Sequence, residues 1–369
     1  MYFGCVGGLG EKTTARGFNR ATQAKRQTGS AIKPIAILAP GIDKKIFTAS
    51  TVFIDEDTAF NDGTDDGYHP KNYDGYMGDI TVRDAIESSQ NVPFVKMMEK
   101  LTPKTSMDYL EKMGITTLAE SDENLSLALG GLDSGMTVLE TAGAYGCIAN
   151  DGVYIEPTFY TKIENSKGKV VFKTKQKSKK VISKETASIV KNLLKEPVEG
   201  ASGTATYCKI SGIDVAAKTG TTNDNYDRWL CGFTPYYTAA TWFGYDINET
   251  IDFNKQNPAG LIWSNVMKKV HKNLSDKKFE MQGDVVKATV CTKTGKKANS
   301  HCVDTYIEYY LKGTEPGECN IHSTKNKGKK TTKKVKNNSA GEVSSRNTNE
   351  IENKAKENNV TNNVNENAA

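Results

Sequence analysis

Hydrophobic and polar positions alternate along the chain in blocks that predict a succession of helices. Residues 31–38 form an almost wholly apolar run and predict a buried helix with Pro34 in its first turn. Residues 80–101 predict two helices, because the residue before a proline avoids helical backbone and the pattern breaks at Asn91. Thr81 is a suitable N-cap for the first of them.

The remaining blocks predict a mixed fold. We expect residues 1–10 to end a small glycine-rich strand and residues 54–80 to form a long loop. Strands near both ends of a helical middle indicate a mixed sheet flanked by helices, with a helical insertion. The other predicted elements are helices in 106–115, 137–149, 184–200 and 258–274, and strands at 153–157, 213–218 and, as a pair, within 229–245.

The C-terminal end of the chain differs from the rest in composition. Residues 323–369 contain a lysine-rich run followed by an Asn/Glu/Lys-rich segment with almost no apolar residues, which predicts a disordered tail. We therefore divide the 369 residues into one folded domain, 1–322, and this tail. The net charge of +5 resides mostly in the lysine run, so we predict no nucleic-acid partner.

Cysteines and histidines do not suggest a metal site at first inspection. The seven cysteines include no CxxC pair, and the four histidines form no HExxH array, so we predict neither a metal nor another cofactor. Cys291, Cys302 and Cys319 lie close together in sequence. They could form a disulfide in an oxidising compartment, and free thiols are the default.

No membrane-targeting segment is recognisable in the sequence. No stretch reaches the ~18 consecutive apolar residues of a spanning helix. The first ten residues are too short and lack the basic flank of a signal peptide.

Four Ser-x-x-Lys pairs occur in the chain, so this motif alone carries little information. In a helix the two side chains lie one turn apart on the same face. A lysine that is desolvated or near another cation can lose its proton and activate the serine hydroxyl. The pairs are Ser30/Lys33, Ser166/Lys169, Ser188/Lys191 and Ser275/Lys278.

Two further motifs distinguish the pair that begins at Ser30. A Ser-x-Asn motif starts at Ser89, at the predicted helix break, and a Lys-Thr-Gly motif starts at Lys218, at the end of a predicted strand. Second copies start at Ser345, in the tail, and at Lys293, in a polar turn, and their context excludes both. The order SxxK, SxN, KTG is the signature of penicillin-recognising serine enzymes.

The flanking sequence resembles the transpeptidase domain of class A, bifunctional penicillin-binding proteins over residues 1–322. This resemblance implies the penicillin-recognising transpeptidase or β-lactamase-like fold, an antiparallel-rich sheet flanked by helices with a helical subdomain. Class A proteins also carry a membrane anchor and a glycosyltransferase domain, which we do not find in this sequence. Their transpeptidase domain normally begins with a helix and a strand ahead of the segment that corresponds to MYFGCVGG, so we expect the domain to be N-terminally incomplete. The resembling segments are RATQAKRQTGSAIKP, YDGYMGDITVRDAIESSQNVPFVK, GAYGCIANDGVYIEP, VEGASGTAT, AAKTGTTNDNYDRWLCGFTPYYTAATWFGYD and PAGLIWSNVMKK.

The resemblance implies a catalytic role for three residues. Ser30 would attack the carbonyl between two D-alanines of a peptidoglycan stem peptide, and Lys33 would take its proton. Ser89 would relay that proton toward the leaving amine. Water or an amine would then release the acyl-enzyme, which corresponds to carboxypeptidase or transpeptidase activity.

It also implies a substrate-binding role for five positions around that serine. Asn91 would bind the substrate amide, and Thr219 and Thr221 would bind the terminal carboxylate. Lys218 would add positive potential, and Gly220 would let the substrate lie against the strand. Backbone N–H groups of Ser30 and Thr221 would form the oxyanion hole.

The implied function is a penicillin-binding D,D-transpeptidase of the cell wall. Its partners would be stem peptides and β-lactam antibiotics, and the parent protein would act on the extracytoplasmic face of the bacterial membrane. A serine β-lactamase is the first alternative, although Gln90 stands where class A β-lactamases have Asp. A non-catalytic β-lactam sensor is the second.

Overall fold

The computed structural model describes residues 4–11, 15–63, 65–252 and 256–322, all of which fall in one compact unit, Met1–Thr324. The predicted tail, 323–369, lies outside the described residues. The α-helices are α1 (Arg20–Gln23), α2 (Ala39–Asp43), α3 (Val82–Glu87), α4 (Val92–Leu101), α5 (Pro103–Lys112), α6 (Val138–Ala149), α7 (Lys184–Leu193), α8 (Glu196–Glu199) and α9 (Pro258–Val270). The strands are β1 (Val52–Asp55), β2 (Gly78–Thr81), β3 (Val153–Ile155), β4 (Lys162–Glu164), β5 (Val170–Lys173), β6 (Ser178–Lys180), β7 (Ala216–Thr221), β8 (Asp227–Phe233), β9 (Thr238–Gly244), β10 (Val285–Cys291) and β11 (Thr305–Leu311).

An antiparallel sheet in the order β7-β8-β9 separates two hydrophobic cores. Successive side chains of a strand point to opposite faces. Trp229 and Cys231 accordingly join the larger core, whereas Leu230 joins the smaller one with Trp263 of α9. The apolar run of β8 is therefore buried on both faces, which confirms the predicted sheet with helices on either side.

Helix α6 lies against β8 and β9 on the side of the larger core, as its apolar composition predicts. Its first turn is a capping box, in which the Thr137 hydroxyl accepts from the Glu140 N–H and the Glu140 carboxylate accepts from the Thr137 N–H. Helix α9 covers the other face and begins at Pro258, after the N-cap Asn257. Caps and a first-turn proline thus set both boundaries.

A buried helical segment runs from Gly29 to Asp43 through the centre of the molecule. It consists of a 3₁₀ turn (Gly29–Ile32), a π-helical turn (Pro34–Leu38) and α2. Its residues from Ala31 to Ala39 have almost no exposed surface, as expected for a helix that is apolar on all sides. The segment contacts β7 on one side and α4 and α5 on the other, so it joins the sheet to a helical subdomain.

Most of the predicted elements are present, with shifted boundaries. The break in 80–101 separates α3 from α4, and the Thr81 hydroxyl caps α3 by accepting from the Asp84 N–H. The strand predicted at 213–218 begins later and continues through the Lys-Thr-Gly motif as β7. The strand predicted in 1–10 is wrong for the described residues 4–10, which form no strand. No hydrogen-bonded strand partner is described for them, and a lone strand is not stable.

The hairpin β10–β11 was not predicted. Its strands pair in register from Val285↔Leu311 to Cys291↔Thr305. It is joined to α3 by the Arg83 guanidinium, which donates to both carboxylate oxygens of Glu308 at 2.7 and 2.6 Å. Glu308 has no exposed surface. Burial alone would lower the pKa of Arg83, but the hydrogen bonds and charges of Glu308 and Glu196 outweigh it and raise that pKa.

Removing the arginine should destabilise the whole unit. We expect Arg83→Met to lower the free energy of unfolding by about 3–5 kcal/mol, because it leaves the Glu308 carboxylate buried without its partner. The double variant Arg83→Met with Glu308→Leu should recover most of the loss, since no buried charge remains. Denaturant unfolding of the full chain measures both.

The exposed Lys104–Asp108 pair provides a matched control, because it joins two exposed side chains one helical turn apart. Lys104→Met should cost less than about 0.5 kcal/mol. An Arg83→Met variant as stable as this control would contradict the argument.

Candidate active site

Ser30 lies where the central helical segment meets the sheet. Gly29 precedes it with a φ of 53°, in the left-handed region, and a Cβ there would lie 2.3 Å from the Thr221 carbonyl oxygen. Only glycine fits this conformation and this contact. The contact fixes the half-buried Ser30 beside the end of β7, the strand that carries the Lys-Thr-Gly motif.

Lys33 lies one turn after Ser30 and is fully buried. Its Nζ donates to the Ser89 carbonyl at 2.9 Å, to the Gln90 carbonyl at 2.8 Å and to Asn91 Oδ1 at 2.8 Å. A charged lysine has three protons to donate, so these bonds use all of them. Burial, and secondarily the charge of Lys218, hold the pKa of Lys33 well below its usual value, with Asp55 opposing them.

Ser89 and Asn91 lie in the break between α3 and α4. Ser89 has a φ of 64°, and this left-handed residue turns the chain so that three acceptors face Lys33. The Asn91 amide is fixed on its other side, because its Nδ2 donates to the Lys71 carbonyl at 2.7 Å. Its oxygen is therefore the atom that faces Lys33.

Lys218 contacts the same serine as Lys33, through the Ser89 hydroxyl. Its Nζ donates to Ser89 Oγ at 2.8 Å and to the Thr219 carbonyl at 3.0 Å. Burial lowers the pKa of Lys218 to about 7. Ser89 thus contacts both lysines, one through its carbonyl and the other through its hydroxyl.

The two threonines of the motif are more accessible than Lys218. Thr219 Oγ1 lies 2.8 Å from Thr204 Oγ1, which holds its side chain. Thr221 is exposed, and its Oγ1 accepts from Arg228 at 3.2 Å. A hydroxyl–guanidinium pair at the open end of β7 is suited to binding an anionic group.

Gly220 has a different role from the one that the sequence suggested. We expected a missing side chain to make room for substrate. A Cβ at Gly220 would instead point inward, 2.2 Å from the Thr28 carbonyl oxygen and 3.0 Å from the Ala31 Cβ. Glycine here lets β7 pack directly on the helical turn that carries Ser30, because alternate strand residues face opposite sides.

All eight predicted site residues therefore lie around Ser30, on three segments that are far apart in sequence. Direct hydrogen bonds link Lys33, Ser89, Asn91 and Lys218. Backbone packing places Gly220 and Thr221 against residues 28–31, and Thr219 lies between Lys218 and Gly220 on β7.

A carboxylate that no sequence motif indicated, Asp55, supports this arrangement. Asp55 ends β1 and is 1% exposed. Its Oδ1 accepts from Asn72 Nδ2 at 2.7 Å, and Asn72 Oδ1 accepts from the Asn91 N–H at 2.7 Å. An aspartate closing the apolar run VFID was the one available signal, since a buried carboxylate requires partners.

Two protein-family models match this chain. The model of the penicillin binding protein transpeptidase domain family matches residues 10–269, and that of the penicillin-binding protein 1A C-terminal domain matches residues 281–324. The second match was not anticipated, and the single domain 1–322 stays a prediction. No helix in the described ranges has the length and apolar character required to cross a membrane.

Curated relatives resemble the chain over most of its length. Penicillin-binding protein 1A of Clostridium botulinum (strain Hall) is 37% identical over 327 residues, covering 85% of this chain and 39% of the relative. Penicillin-binding protein 1A of Clostridium tetani is 38% identical over 338 residues, covering 86% of this chain and 42% of the relative. The chain thus spans about two fifths of their length.

Solved structures show the same fold. Penicillin-binding protein 1A from Haemophilus influenzae superposes with a TM-score of 0.71 at 26% identity, covering 81% of this chain and 50% of that one. PonA1 from Mycobacterium tuberculosis, in complex with penicillin V, has a TM-score of 0.60 at 27% identity. The match covers 72% of this chain and 74% of that one. The family match, which extends over most of the chain and includes all three motifs, shows that this chain belongs to the penicillin-binding protein transpeptidase family.

Proposed function

We propose that this chain is a serine D,D-transpeptidase that cross-links peptidoglycan stem peptides on the extracytoplasmic face of the bacterial membrane. Ser30 Oγ attacks the carbonyl between the two terminal D-alanines and forms an ester, and the last D-alanine leaves with a proton. An amine of a second stem peptide then attacks the ester and regenerates the serine. Attack by water instead gives carboxypeptidase activity.

One observation carries this proposal: two buried lysines both donate hydrogen bonds to Ser89, and one of them, Lys33, lies one turn after Ser30. A neutral Lys33 has two protons and one lone pair, so it can accept the Ser30 proton after releasing one of its three hydrogen bonds. Its lowered pKa supports the neutral form. We assign the relay of this proton to the leaving amine to Ser89 Oγ, which accepts a hydrogen bond from Lys218.

Charge on Lys218 supports both acylation and binding. A protonated Lys218 disfavours a second charge on Lys33 and attracts the terminal carboxylate of the substrate. We assign Thr219 and Thr221 to that carboxylate and Asn91 to the substrate amide. The tight packing of Gly29 on Thr221 brings the Ser30 and Thr221 backbones together, which supports an oxyanion hole formed by their N–H groups.

A β-lactam should acylate the same serine. Its strained amide resembles the D-Ala-D-Ala terminus, and the resulting ester would not be released by an amine. The penicillin V complex of the related PonA1 supports this expectation.

Benzylpenicillin should label Ser30 and no other serine. After brief exposure, intact mass should show a single stable adduct on the full chain and none on Ser30→Ala. The matched control is Ser166→Ala, which removes the serine of another Ser-x-x-Lys pair, on an exposed turn. Release of D-alanine from a stem-peptide analogue, with and without an added amine, should be lost in Ser30→Ala alone.

Other results of this experiment point to the alternative functions. A transient adduct accompanied by penicillin hydrolysis would indicate a β-lactamase. A stable adduct without release of D-alanine would indicate a sensor, and no adduct on a cooperatively folded chain would refute the catalytic assignment.

The acylation rate should first rise and then fall as the pH increases. It should rise as pH increases through the depressed pKa of Lys33, because only the neutral amine accepts a proton. It should fall above about 7, where Lys218 loses its charge. The second-order rate constant for benzylpenicillin, measured against pH, gives both limbs.

Lys218→Arg tests the alkaline limb. A guanidinium stays charged over the whole range, so this limb should disappear even though the larger group lowers the maximum rate. A wild-type rate that keeps rising well above pH 7, or an alkaline limb retained in Lys218→Arg, would contradict the role of Lys218.

Gly220→Ala should separate β7 from the turn that carries Ser30. The new Cβ would lie 2.2 Å from the Thr28 carbonyl oxygen, and a displacement near 1 Å can cost about 100-fold in rate. Gly146→Ala in α6 is the control, because a Cβ there would meet no atom within 4 Å apart from its chain neighbours and the backbone of its own helix. Acylation rates and thermal unfolding are measured for both, and a wild-type rate in Gly220→Ala would show that this contact is dispensable.

A further inference from the structure

Three cysteines and a histidine converge beside the β10–β11 hairpin, away from the residues of the proposed function. The cysteine sulfurs and one nitrogen of His322 all lie within 4.8 Å of one another. No metal site was expected from the sequence, although only two residues separate Cys319 from His322. The cysteines concerned are Cys291, Cys302 and Cys319.

Distances in this cluster are close to those of a tetrahedral zinc site. Nδ1 of His322 lies 3.4 Å from Cys291 Sγ and 3.5 Å from Cys319 Sγ. Zinc bonds of about 2.3 Å to sulfur and about 2.0–2.1 Å to nitrogen imply about 3.6 Å between such atoms in a tetrahedron. Both distances from His322 fit such a tetrahedron, and every other pair of these ligand atoms lies within 4.8 Å.

Backbone hydrogen bonds hold each cysteine in place independently of the cluster. The Cys291 carbonyl accepts from the Gly295 N–H at 2.9 Å, so the chain turns immediately after β10. The Cys302 N–H donates to the Asn299 carbonyl at 3.1 Å, and the Cys319 N–H donates to the Lys297 carbonyl at 2.8 Å. The first two ligands are thus positioned by turns, and Cys319 is positioned by a bridge to the segment at Lys297.

Asn299 connects the segments that carry Cys302 and Cys319, and it donates a hydrogen bond to a sulfur. Its backbone N–H donates to Cys302 Sγ at 3.5 Å, and its side-chain Nδ2 donates to the Cys319 carbonyl at 2.9 Å. An N–H donor to sulfur stabilises a thiolate, which is the form that binds metal.

We propose that Cys291, Cys302, Cys319 and His322 bind one Zn²⁺ as a structural Cys₃His site. Three thiolates and one imidazole complete a tetrahedron and leave no position for water or substrate, which is typical of structural rather than catalytic zinc. Binding transfers three thiol protons to solvent and changes no oxidation state. The site is independent of the transpeptidase proposal.

A disulfide accounts for the cluster less well. All seven cysteines are unpaired in the structure. One disulfide among the three would leave an odd thiol, and it would not explain why the His322 nitrogen faces two of the sulfurs.

The surroundings indicate what the ion would stabilise. The hairpin has a small core, and Val303 and Ile307 are 89% and 59% exposed. The turn after Cys291 packs on Ser50, whose hydroxyl donates to the Gly295 carbonyl at 2.7 Å and lies 2.6 Å from the Tyr310 hydroxyl. Since a small β unit needs an additional constraint, zinc would fix the turn through which this segment joins the main core.

Metal content tests the proposal directly. The full chain, untagged and purified under reducing conditions without chelator, should contain about one zinc per chain. X-ray absorption should show about three sulfurs near 2.3 Å and one nitrogen near 2.0 Å. These measurements use the wild type, so they do not depend on the folding of any variant.

Substitutions identify the ligands. Cys302→Ser and His322→Ala should each weaken zinc binding by more than about 100-fold in competition with a chelating indicator, beyond the range of an outer-shell change. The control is Cys5→Ser, which removes an unpaired, half-buried thiol outside the cluster and should retain zinc. A wild type without zinc, a disulfide in the reduced preparation, or zinc that persists in both ligand variants would overturn the proposal.

Discussion

The burial of two lysines beside one serine is the constraint on which the site depends. Lys33 and Lys218 have no exposed surface, and both contact Ser89. Two charged lysines in this position would be costly, because burial and the charge of Lys218 both lower the pKa of Lys33. Asp55, whose charge opposes this effect on the pKa of Lys33, is not ion-paired with it but accepts hydrogen bonds from Asn72 and the Met77 N–H.

The local backbone follows from this constraint. Lys33 needs several acceptors in a small volume, and a regular helix cannot offer them because its carbonyls are already bonded. The break between α3 and α4 provides free carbonyls at Ser89 and Gln90 and the side-chain oxygen of Asn91. Presenting these acceptors requires a left-handed φ at Ser89, which costs conformational free energy.

Local signals in the sequence predicted much of this structure. Pro93 and Thr81 marked the break and the cap, and the apolar run after Ser30 marked the buried helical segment. The central strands followed from the apolar runs around Trp229. These features are encoded within a few residues of where they act, so single-sequence reasoning can detect them.

Features that depend on contacts distant in sequence were missed or misread. Whether Gly220 faces substrate or the interior depends on which side of β7 meets Thr28. The link from Asp55 through Asn72 to Asn91 joins three segments. The cysteine cluster was dismissed because its spacing matched no short motif, although the hairpin brings Cys291 and Cys319 together.

The molecule buries ionisable groups in two ways, and the difference explains where chemistry can occur. Arg83 and Glu308 neutralise each other through two hydrogen bonds, which fixes both charges and gives stability without reactivity. No carboxylate in the described ranges is ion-paired with Lys33, and burial together with the charge of Lys218 lowers its pKa, which favours the neutral amine that the proposed base requires. An arginine could not replace it, because a guanidinium does not deprotonate in proteins. The proposed site is therefore built on two buried lysines, Lys33 and Lys218, for which the described residues supply no ion-pairing carboxylate.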